Sequence, residues 1–336
     1  MSIRNKRSKQ ENVIQPLTQL ISYIEETTIL SDWMSQLPAE RFNIPLIYLA
    51  IPGSHNSLTY TIKKYAKFSP DVTFLFKKPI PVCIRPLIFR WCKTQDLSIR
   101  HQLENGIRYI DVRICTKQKS LDLFIAHGMY GGTVRPELEE INTFLNSHPK
   151  EVIIIDFQHF HSMDKDHHDR LIDIIKATFG SKICPVPPTS VESATLNYMH
   201  SNNYQVIIIY RSNTIICDIF WRGTQWPTFW PATMNPKDMI NMCENAIRRR
   251  KSSSGLVSQG VLTAKATTIM CPTGSVRKSC AHKALIPMME WLNHCYKDNL
   301  RVNVVIADFV NYHNNLLIKG VISLNYREQI PQLEIG

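Results

Sequence analysis

The stretch Val152-Ile-Ile-Ile-Asp156 is a short apolar run that ends on a carboxylate, and Val206-Ile-Ile-Ile-Tyr210 repeats the pattern later in the chain. Runs that are apolar at every position are typical of strands buried on both faces of a parallel sheet. Other apolar runs of this length are Leu46–Ile51, Ile107–Ile114, Leu121–Ala126, Gly255–Leu262 and Val302–Phe309. Helical patterns lie between the runs, so the sequence predicts an alternating α/β fold.

The alternation of strands and helices favours a barrel. Helix-like patterns occupy Pro136–Ser147, His167–Phe179, Asp238–Arg249 and Ala284–Tyr296. We therefore predict a single-domain, distorted (β/α)8 TIM-type barrel over residues 31–330, preceded by a polar tail and a short helix over residues 1–30. A doubly wound open sheet is the competing fold, and it is disfavoured because no Gly-rich phosphate-binding fingerprint follows any strand. Lys63–Lys93 is predicted to be a long insertion after the first strand.

Composition restricts the function classes. Among the 336 residues, Lys and Arg number 39 and Asp and Glu 28, a net charge of +11 that favours anionic partners without choosing among nucleic acid, acidic lipid and phosphorylated small molecules. The nine cysteines follow no C-x-x-C or regular spacing, which argues against a disulfide framework or a zinc site and for a reducing compartment. With no signal peptide or membrane-length apolar run, we expect a cytoplasmic or nuclear protein that contacts membranes peripherally.

Polar side chains follow or end most of the predicted strands. His55 follows the first run, Asp111 and Arg113 end the second, and His127 ends the third. The later runs end near Asp156, Gln158, Arg211 and Asp308. Carboxyl ends of barrel strands converge on one mouth, so these residues are predicted to lie close together. Any one of them alone is more often a cap or a loop anchor. Two imidazoles with a cation suit acid–base cleavage of a phosphodiester.

The motifs also resemble a known family. Ile51-Pro-Gly-Ser-His-Asn-Ser57, the segment from Leu97 to Arg113, and Ala126-His-Gly128 are similar in order and content to the phosphatidylinositol-specific phospholipase C X domain. The segment Glu151–Phe160 continues the resemblance, which extends to about Phe309 and is closest to the small eukaryotic proteins that consist of an X domain alone.

This resemblance implies cleavage of phosphatidylinositol in membranes to diacylglycerol and a phosphoinositol. His55 would be the general base on the inositol 2-hydroxyl and His127 the general acid to the leaving oxygen. Arg113 would bind the phosphate, with Asp111 positioning Arg113 or the hydroxyl and Asp308 orienting His55. Substrate contacts are expected from Asn56, Asp156, Gln158 and Arg211. Asp156 and Gln158 project to the same side of their strand, and the sequence leaves open which one lines the pocket. An Arg211 that faces solvent at its strand end is an equally good interpretation. No cofactor, nucleic acid or transmembrane segment is expected.

Two positions bear on metal dependence and rate. Calcium-dependent relatives carry a carboxylate where this chain has Arg113, so we expect no calcium requirement. The metal-independent branch usually has Asp where this chain has Asn56, and we expect Asn56 to orient His127 by a hydrogen bond without stabilising its charged form. This substitution leaves open a catalytically weak or inactive X domain that binds phosphoinositides or a protein. A glycerophosphodiesterase is a further alternative.

Two other clusters allow two interpretations each. His159, His161, His167 and His168 lie among acidic residues, but their spacing matches no common metal site, and a loop that enters a helix with Asp166 as its cap is the favoured interpretation. The aromatic residues of the loop Trp221–Pro236 are Trp221, Trp226, Phe229 and Trp230. They are predicted either to anchor the protein at a lipid interface or to pack the loop on the barrel, with at least half of them packed.

Overall fold

The computed structural model describes residues 28–72, 81–118, 120–269, 271 and 273–326. The predicted N-terminal helix lies outside these residues. In the described chain, eight strands form one sheet. They are β1 (Ile51–Ser54), β2 (Tyr109–Cys115), β3 (Phe124–Ala126), β4 (Tyr130–Thr133), β5 (Ile153–His161), β6 (Val206–Tyr210), β7 (Val257–Gly260) and β8 (Val304–Ala307).

Six strands pair in parallel in the order β7-β8-β1-β2-β5-β6. Between β6 and β7 runs an irregular segment that supplies single bridges in place of a strand. Trp221 pairs with Ile209 of β6, and Thr228 pairs with Val257 of β7. The backbone N–H of Trp221 donates to Ile208 O at 2.7 Å. This segment closes the ring of strands. The barrel is distorted because isolated bridges replace a regular strand between β6 and β7.

The strands β3 and β4 depart from the predicted parallel sheet. β3 runs antiparallel to the end of β2, where Ile114 pairs with Ile125, and β4 runs antiparallel to β3. β3 and β4 form a hairpin. β3 pairs with the last residues of β2, on the same edge whose first residues pair with β1. The hairpin sets His127, which follows β3, above the carboxyl end of β1.

Helices cover the outside of the barrel. The described helices are α1 (Arg85–Cys92), α2 (Ile99–Glu104), α3 (Val134–Ser147), α4 (Lys165–Phe179), α5 (Leu196–Ser201), α6 (Pro236–Arg248), α7 (Ala266–Ile269), α8 (His282–Lys297) and α9 (Tyr312–Ser323). α4 shows the local cause: Leu171, Ile175 and Phe179 recur at helical spacing and are buried. The four helices predicted from the sequence are confirmed as α3, α4, α6 and α8.

The first predicted strand is wrong in its position. Leu46–Tyr48 forms a 3-10 turn, and β1 begins only at Ile51. A Cβ atom added to Gly53 in this strand would lie 2.8 Å from Ile306 Cγ2 and 2.9 Å from Tyr109 Cβ. Glycine is therefore required by the close approach of the two neighbouring strands, and β1 lacks an apolar run such as those of β5 and β6.

Candidate active site

His55 lies directly after β1, and Asp308 lies directly after the neighbouring strand β8. Parallel pairing places the carboxyl ends of these two strands side by side. His55 Nδ1 lies 2.6 Å from Asp308 Oδ1, and both residues are buried. The carboxylate accepts the Nδ1 proton, which leaves Nε2 of His55 as the atom able to take a proton from another group.

Two donors contact His55 Nε2. Asn56 Nδ2 and Arg113 Nη2 each lie 3.1 Å from it. Asn56 has left-handed backbone (φ 46°), a conformation that asparagine tolerates better than most residues. Among the described residues Asn56 makes no hydrogen bond to His127, so the prediction that it orients His127 is wrong. Its amide contacts the other imidazole because it follows His55 at the sharp turn that ends β1.

Asp111 fixes this turn from below. Its Oδ2 accepts the backbone N–H of Asn56 at 2.9 Å and lies 3.6 Å from Arg113 Nη2. Burial favours the neutral acid, but the charge of Arg113, followed by His55 and the Asn56 N–H, holds the pKa of Asp111 below its ordinary value. Asp111 is therefore an anion that holds Arg113 beside His55.

His127 follows β3 and approaches the same space. Its Nδ1 donates to the backbone carbonyl of Cys92 at 2.8 Å, so Nε2 is left for a proton exchange in the cleft. The ring centroids of His55 and His127 are 6.3 Å apart, and the rings are inclined at 76°. Burial, and then the charge of Arg113, lower the pKa of His127. The protonated form of His127 is thus less stable, relative to the neutral form, than it is for an imidazole in water.

A β-bulge brings two consecutive residues of β5 to the cleft. Val112 pairs with Phe157 but Arg113 pairs with His159, so Gln158 is the extra residue. Gln158 and His159 both line the cavity that contains Arg113. Burial, and then Arg113, lower the pKa of His159 to about 4. The bulge answers the question left open by the sequence: Gln158 lines the pocket, and Asp156 does not.

Asp156 and Arg211 lie beneath the pocket and bind each other. Arg211 Nη2 donates to Asp156 Oδ2 at 2.7 Å and to the carbonyl of Trp226 at 2.6 Å. Burial raises the pKa of Asp156, and Arg211 partly opposes that effect. Gln158 Nε2 donates to the same carboxylate at 3.0 Å. The Asp156–Arg211 pair joins β5 and β6 to the closing segment and supports Gln158. Direct substrate contact was expected for Asp156 and Arg211, but neither residue lines the cleft.

The cleft has a volume of about 620 Å³ and is lined by His55, Arg113, His127 and Asp308 among others. Three residues that line the cleft have buried polar atoms with no hydrogen-bond partner among the described residues: Asp111 Oδ1, Gln259 Oε1 and Arg113 Nε. Asn56 Oδ1, next to the lining residue His55, is also buried without such a partner. Gln259 was not predicted from the sequence as a site residue, although it lies near the carboxyl end of β7, where site residues are expected. Three free acceptors and one cationic donor suit an anionic ligand that carries hydroxyl groups.

The chain is similar to a known protein family and to solved structures. The family model described as "Phosphatidylinositol-specific phospholipase C, X domain" matches residues 89–212. PI-PLC X domain-containing protein 3 of Homo sapiens is 37% identical over 305 residues, which cover 88% of this chain and 94% of that protein. PI-PLC X domain-containing protein 1 of Danio rerio is 33% identical over 315 residues, covering 91% of this chain and 100% of that protein.

The chain belongs to the PI-PLC X domain-containing family.

Solved structures show the fold of this X-domain protein. The phosphatidylinositol-specific phospholipase C from Listeria monocytogenes gives a TM-score of 0.61 at 20% identity, covering 88% of this chain and 99% of that one. A phosphatidylinositol-specific phospholipase C of S. aureus gives 0.59 at 15% identity, covering 88% and 97%. The predicted distorted (β/α)8 barrel is confirmed.

The histidine cluster of this X-domain protein is divided between two places. His159 and His161 line the cleft. Helix α4 is capped by Asp164, whose carboxylate accepts the backbone N–H of His167 at 3.1 Å, so the prediction of Asp166 as the cap is wrong. Within the described ranges, no group of three or more His, Cys, Asp or Glu side chains is arranged to hold a metal ion.

The aromatic loop of the X-domain protein divides into a buried and an exposed half. Trp221 and Trp226 are buried in the segment that closes the barrel, and Trp226 Nε1 donates to Asn303 Oδ1 at 2.8 Å. Phe229 and Trp230 are 50% and 59% exposed. Trp230 lies at the cleft. None of the helices in the described chain is both long and apolar enough to cross a bilayer.

Proposed function

We propose that this X-domain protein cleaves phosphatidylinositol to diacylglycerol and an inositol phosphate by acid–base catalysis. The observation that carries the proposal is the arrangement of two imidazoles about one arginine. His55 is fixed by Asp308 so that Nε2 accepts a proton, His127 is fixed by the Cys92 carbonyl so that Nε2 faces the cleft, and Arg113 contacts His55 directly.

The proposed chemistry assigns one proton to each imidazole. His55 Nε2 takes the proton of the inositol 2-hydroxyl, whose oxygen attacks phosphorus. The bond from phosphorus to the diacylglycerol oxygen breaks, and His127 Nε2 gives that oxygen a proton, leaving a cyclic phosphodiester. Asp308 stabilises the imidazolium that forms at His55. Arg113 must exchange its 3.1 Å contact with His55 for the phosphate oxygens, where its charge stabilises the phosphorane.

The unpartnered atoms support inositol as the group recognised. Asn56 Oδ1, Asp111 Oδ1 and Gln259 Oε1 are acceptors, and an inositol ring offers several hydroxyl donors at once. A glycerol headgroup offers fewer. We therefore assign headgroup contacts to Asn56, Asp111 and Gln259, which carry these atoms. Gln158 also lines the cleft, and Asp156 and Arg211 support it from beneath.

We expect turnover of phosphatidylinositol vesicles by the purified protein, and we expect it to continue in EGTA. Arg113 places a positive charge 3.6 Å from the Asp111 carboxylate, where a dication would otherwise find a ligand. Release of water-soluble inositol phosphate is measured with and without chelator, beside glycerophosphoinositol as a second substrate. Loss of activity in EGTA with recovery in calcium would contradict calcium independence, and preference for the deacylated substrate would favour a glycerophosphodiesterase.

A catalytically weak X domain that binds phosphoinositides is the second candidate. It is favoured by the neutral amide at position 56 together with the lowered pKa of His127, which reduces the acid available to the leaving group. Vesicle binding without turnover in the same assay would support it.

Phe229 and Trp230 are proposed to enter the membrane interface beside the cleft, because tryptophan favours the headgroup level. Replacing both by serine should weaken sedimentation with phosphatidylinositol vesicles and lower turnover on them, while a soluble short-chain substrate is cleaved at the wild-type rate. Ile216→Ser is the matched control, since Ile216 is 63% exposed but does not line the cleft. Equal losses in the two variants would contradict the proposal.

The cytoplasmic or nuclear location stays a prediction.

A further inference from the structure

The insertion between β1 and β2 is bound to the turn that carries His127. The backbone N–H of Tyr130 donates to Lys67 O at 2.9 Å, and that of Ser69 donates to Gly128 O at 3.2 Å. These bonds run along both sides of a short antiparallel contact. Asp71 and Val72, which follow Ser69, line the same cavity as the general acid, although they are far from it in sequence.

Asp71 is the acidic residue that this contact brings to the cleft. Its Oδ2 accepts the backbone N–H of Gly128 at 2.8 Å, and its Oδ1 accepts the hydroxyl of Ser69. The carboxylate lines the same cavity as His127 and His161. Two hydrogen bonds thus fix a negative charge next to the residue that follows His127.

The groups that face His127 come from four elements of the fold. Burial opposes a charge on its ring, and so do Arg113 on β2 and His55 after β1. The carbonyl of Cys92 at the end of α1 and the carboxylate of Asp71 favour the charge. Of these groups, Asp71 is the one that carries a full negative charge. Without it, His127 would face two basic groups with only a carbonyl dipole in compensation.

We propose that Asp71 is the positioning residue of His127 and supplies the carboxylate charge that position 56 lacks. Asn56 does not act in this way, because its amide is neutral and contacts His55. A fixed anion stabilises the imidazolium, so a larger fraction of His127 is protonated and able to give a proton to the leaving oxygen. The hydrogen bond to Gly128 also holds the turn on which the ring is carried. This inference rests on the proposed role of His127 as the acid.

Asp71→Asn separates the charge from the hydrogen bond, because the amide oxygen still accepts the Gly128 N–H. We expect the alkaline limb of the pH–rate profile to move to lower pH, because removal of the anion makes His127 lose its proton sooner as the pH rises. Turnover at neutral pH should fall by roughly three- to tenfold, with wild-type turnover retained at the acidic end. Asp71→Glu should keep most of the wild-type profile. An Asp71→Asn enzyme with the wild-type rate and profile would overturn the proposal.

A titration of the imidazole C–H resonances by NMR tests the same point without turnover. In Asp71→Asn, the His127 resonance should titrate at lower pH than in the wild type. Asn56→Asp is the matched control, since the side chain at that position contacts His55 and not His127, so the His127 titration should move less than in Asp71→Asn. A His127 midpoint unchanged in Asp71→Asn, or moved by Asn56→Asp instead, overturns the proposal. An inactive wild type would contradict the proposed function and leave this titration decisive for Asp71.

Discussion

His127→Ala should lose turnover of phosphatidylinositol by roughly 10²–10⁴-fold, yet lose far less on a phosphoinositol ester whose leaving group is a nitrophenolate. An acid is needed only where the departing oxygen is strongly basic, and nitrophenolate departs without a proton. His55→Ala should lose both activities by a similar factor, because the attacking hydroxyl is the same in the two substrates. The measurement is the initial rate of each variant on each substrate.

His101→Ala is the control for loss of an imidazole, since His101 is exposed on α2. Its rates should equal those of the wild type. If the nitrophenyl ester rescues His55→Ala and not His127→Ala, the two roles are exchanged. If neither substitution lowers the rate, the site lies elsewhere.

Arg113→Ala should lower the rate by roughly 10²–10³-fold, the size typical of removing one preorganised donor from a developing anion. Arg113→Lys keeps the charge but loses the planar fork, and we expect it to recover only part of the loss because one ammonium cannot contact both the phosphate and Asp111 as the guanidinium does. Rates on vesicles in EGTA measure both variants.

Arg113→Asp is the informative companion. It places a second carboxylate on β2 two residues from Asp111. With Asp111 and the unpartnered Asn56 Oδ1, this carboxylate offers oxygen ligands to a hard cation. Activity should be lost in EGTA and partly regained in calcium. Full activity of Arg113→Ala would show that Arg113 does not hold the phosphate.

The buried strands were predictable because their composition is unambiguous. Val206–Tyr210 is confirmed to the residue as β6, and the strands β2, β5, β7 and β8 lie where apolar runs occur. β1 was misplaced because it contains Pro52 and Gly53, residues that are uncommon within strands. Contacts to the neighbouring strands require the glycine here. β3 lies within the predicted run Leu121–Ala126, but its antiparallel pairing with β2 and β4 was not predicted. β4 (Tyr130–Thr133) contains two glycines and no apolar run, so nothing in its composition marks it as a strand.

The candidate site was predictable to the extent that its residues end strands. His55, Asp111, Arg113 and Asp308 converge because they lie on or directly after parallel strands that end at one mouth. His127 follows the antiparallel strand β3 and reaches the same place through the hairpin, which the sequence did not predict. The predicted hydrogen bond from Asn56 to His127 was wrong. The left-handed backbone of Asn56, in the turn after β1, directs its amide to His55 instead. Asp71 was missed because an irregular insertion carries it, and no local pattern reveals that the insertion pairs with the turn after β3.

The measurement that tests the central claim most directly is a ³¹P NMR time course of phosphatidylinositol vesicles with wild-type protein and with His55→Ala, in EGTA. Attack by the inositol 2-hydroxyl with proton transfer through His55 and His127 predicts that the lipid phosphodiester signal is replaced first by that of a cyclic inositol phosphate, and that His55→Ala leaves the lipid signal intact. A first product that is a phosphomonoester, conversion by His55→Ala at the wild-type rate, or no conversion by the wild type would contradict it.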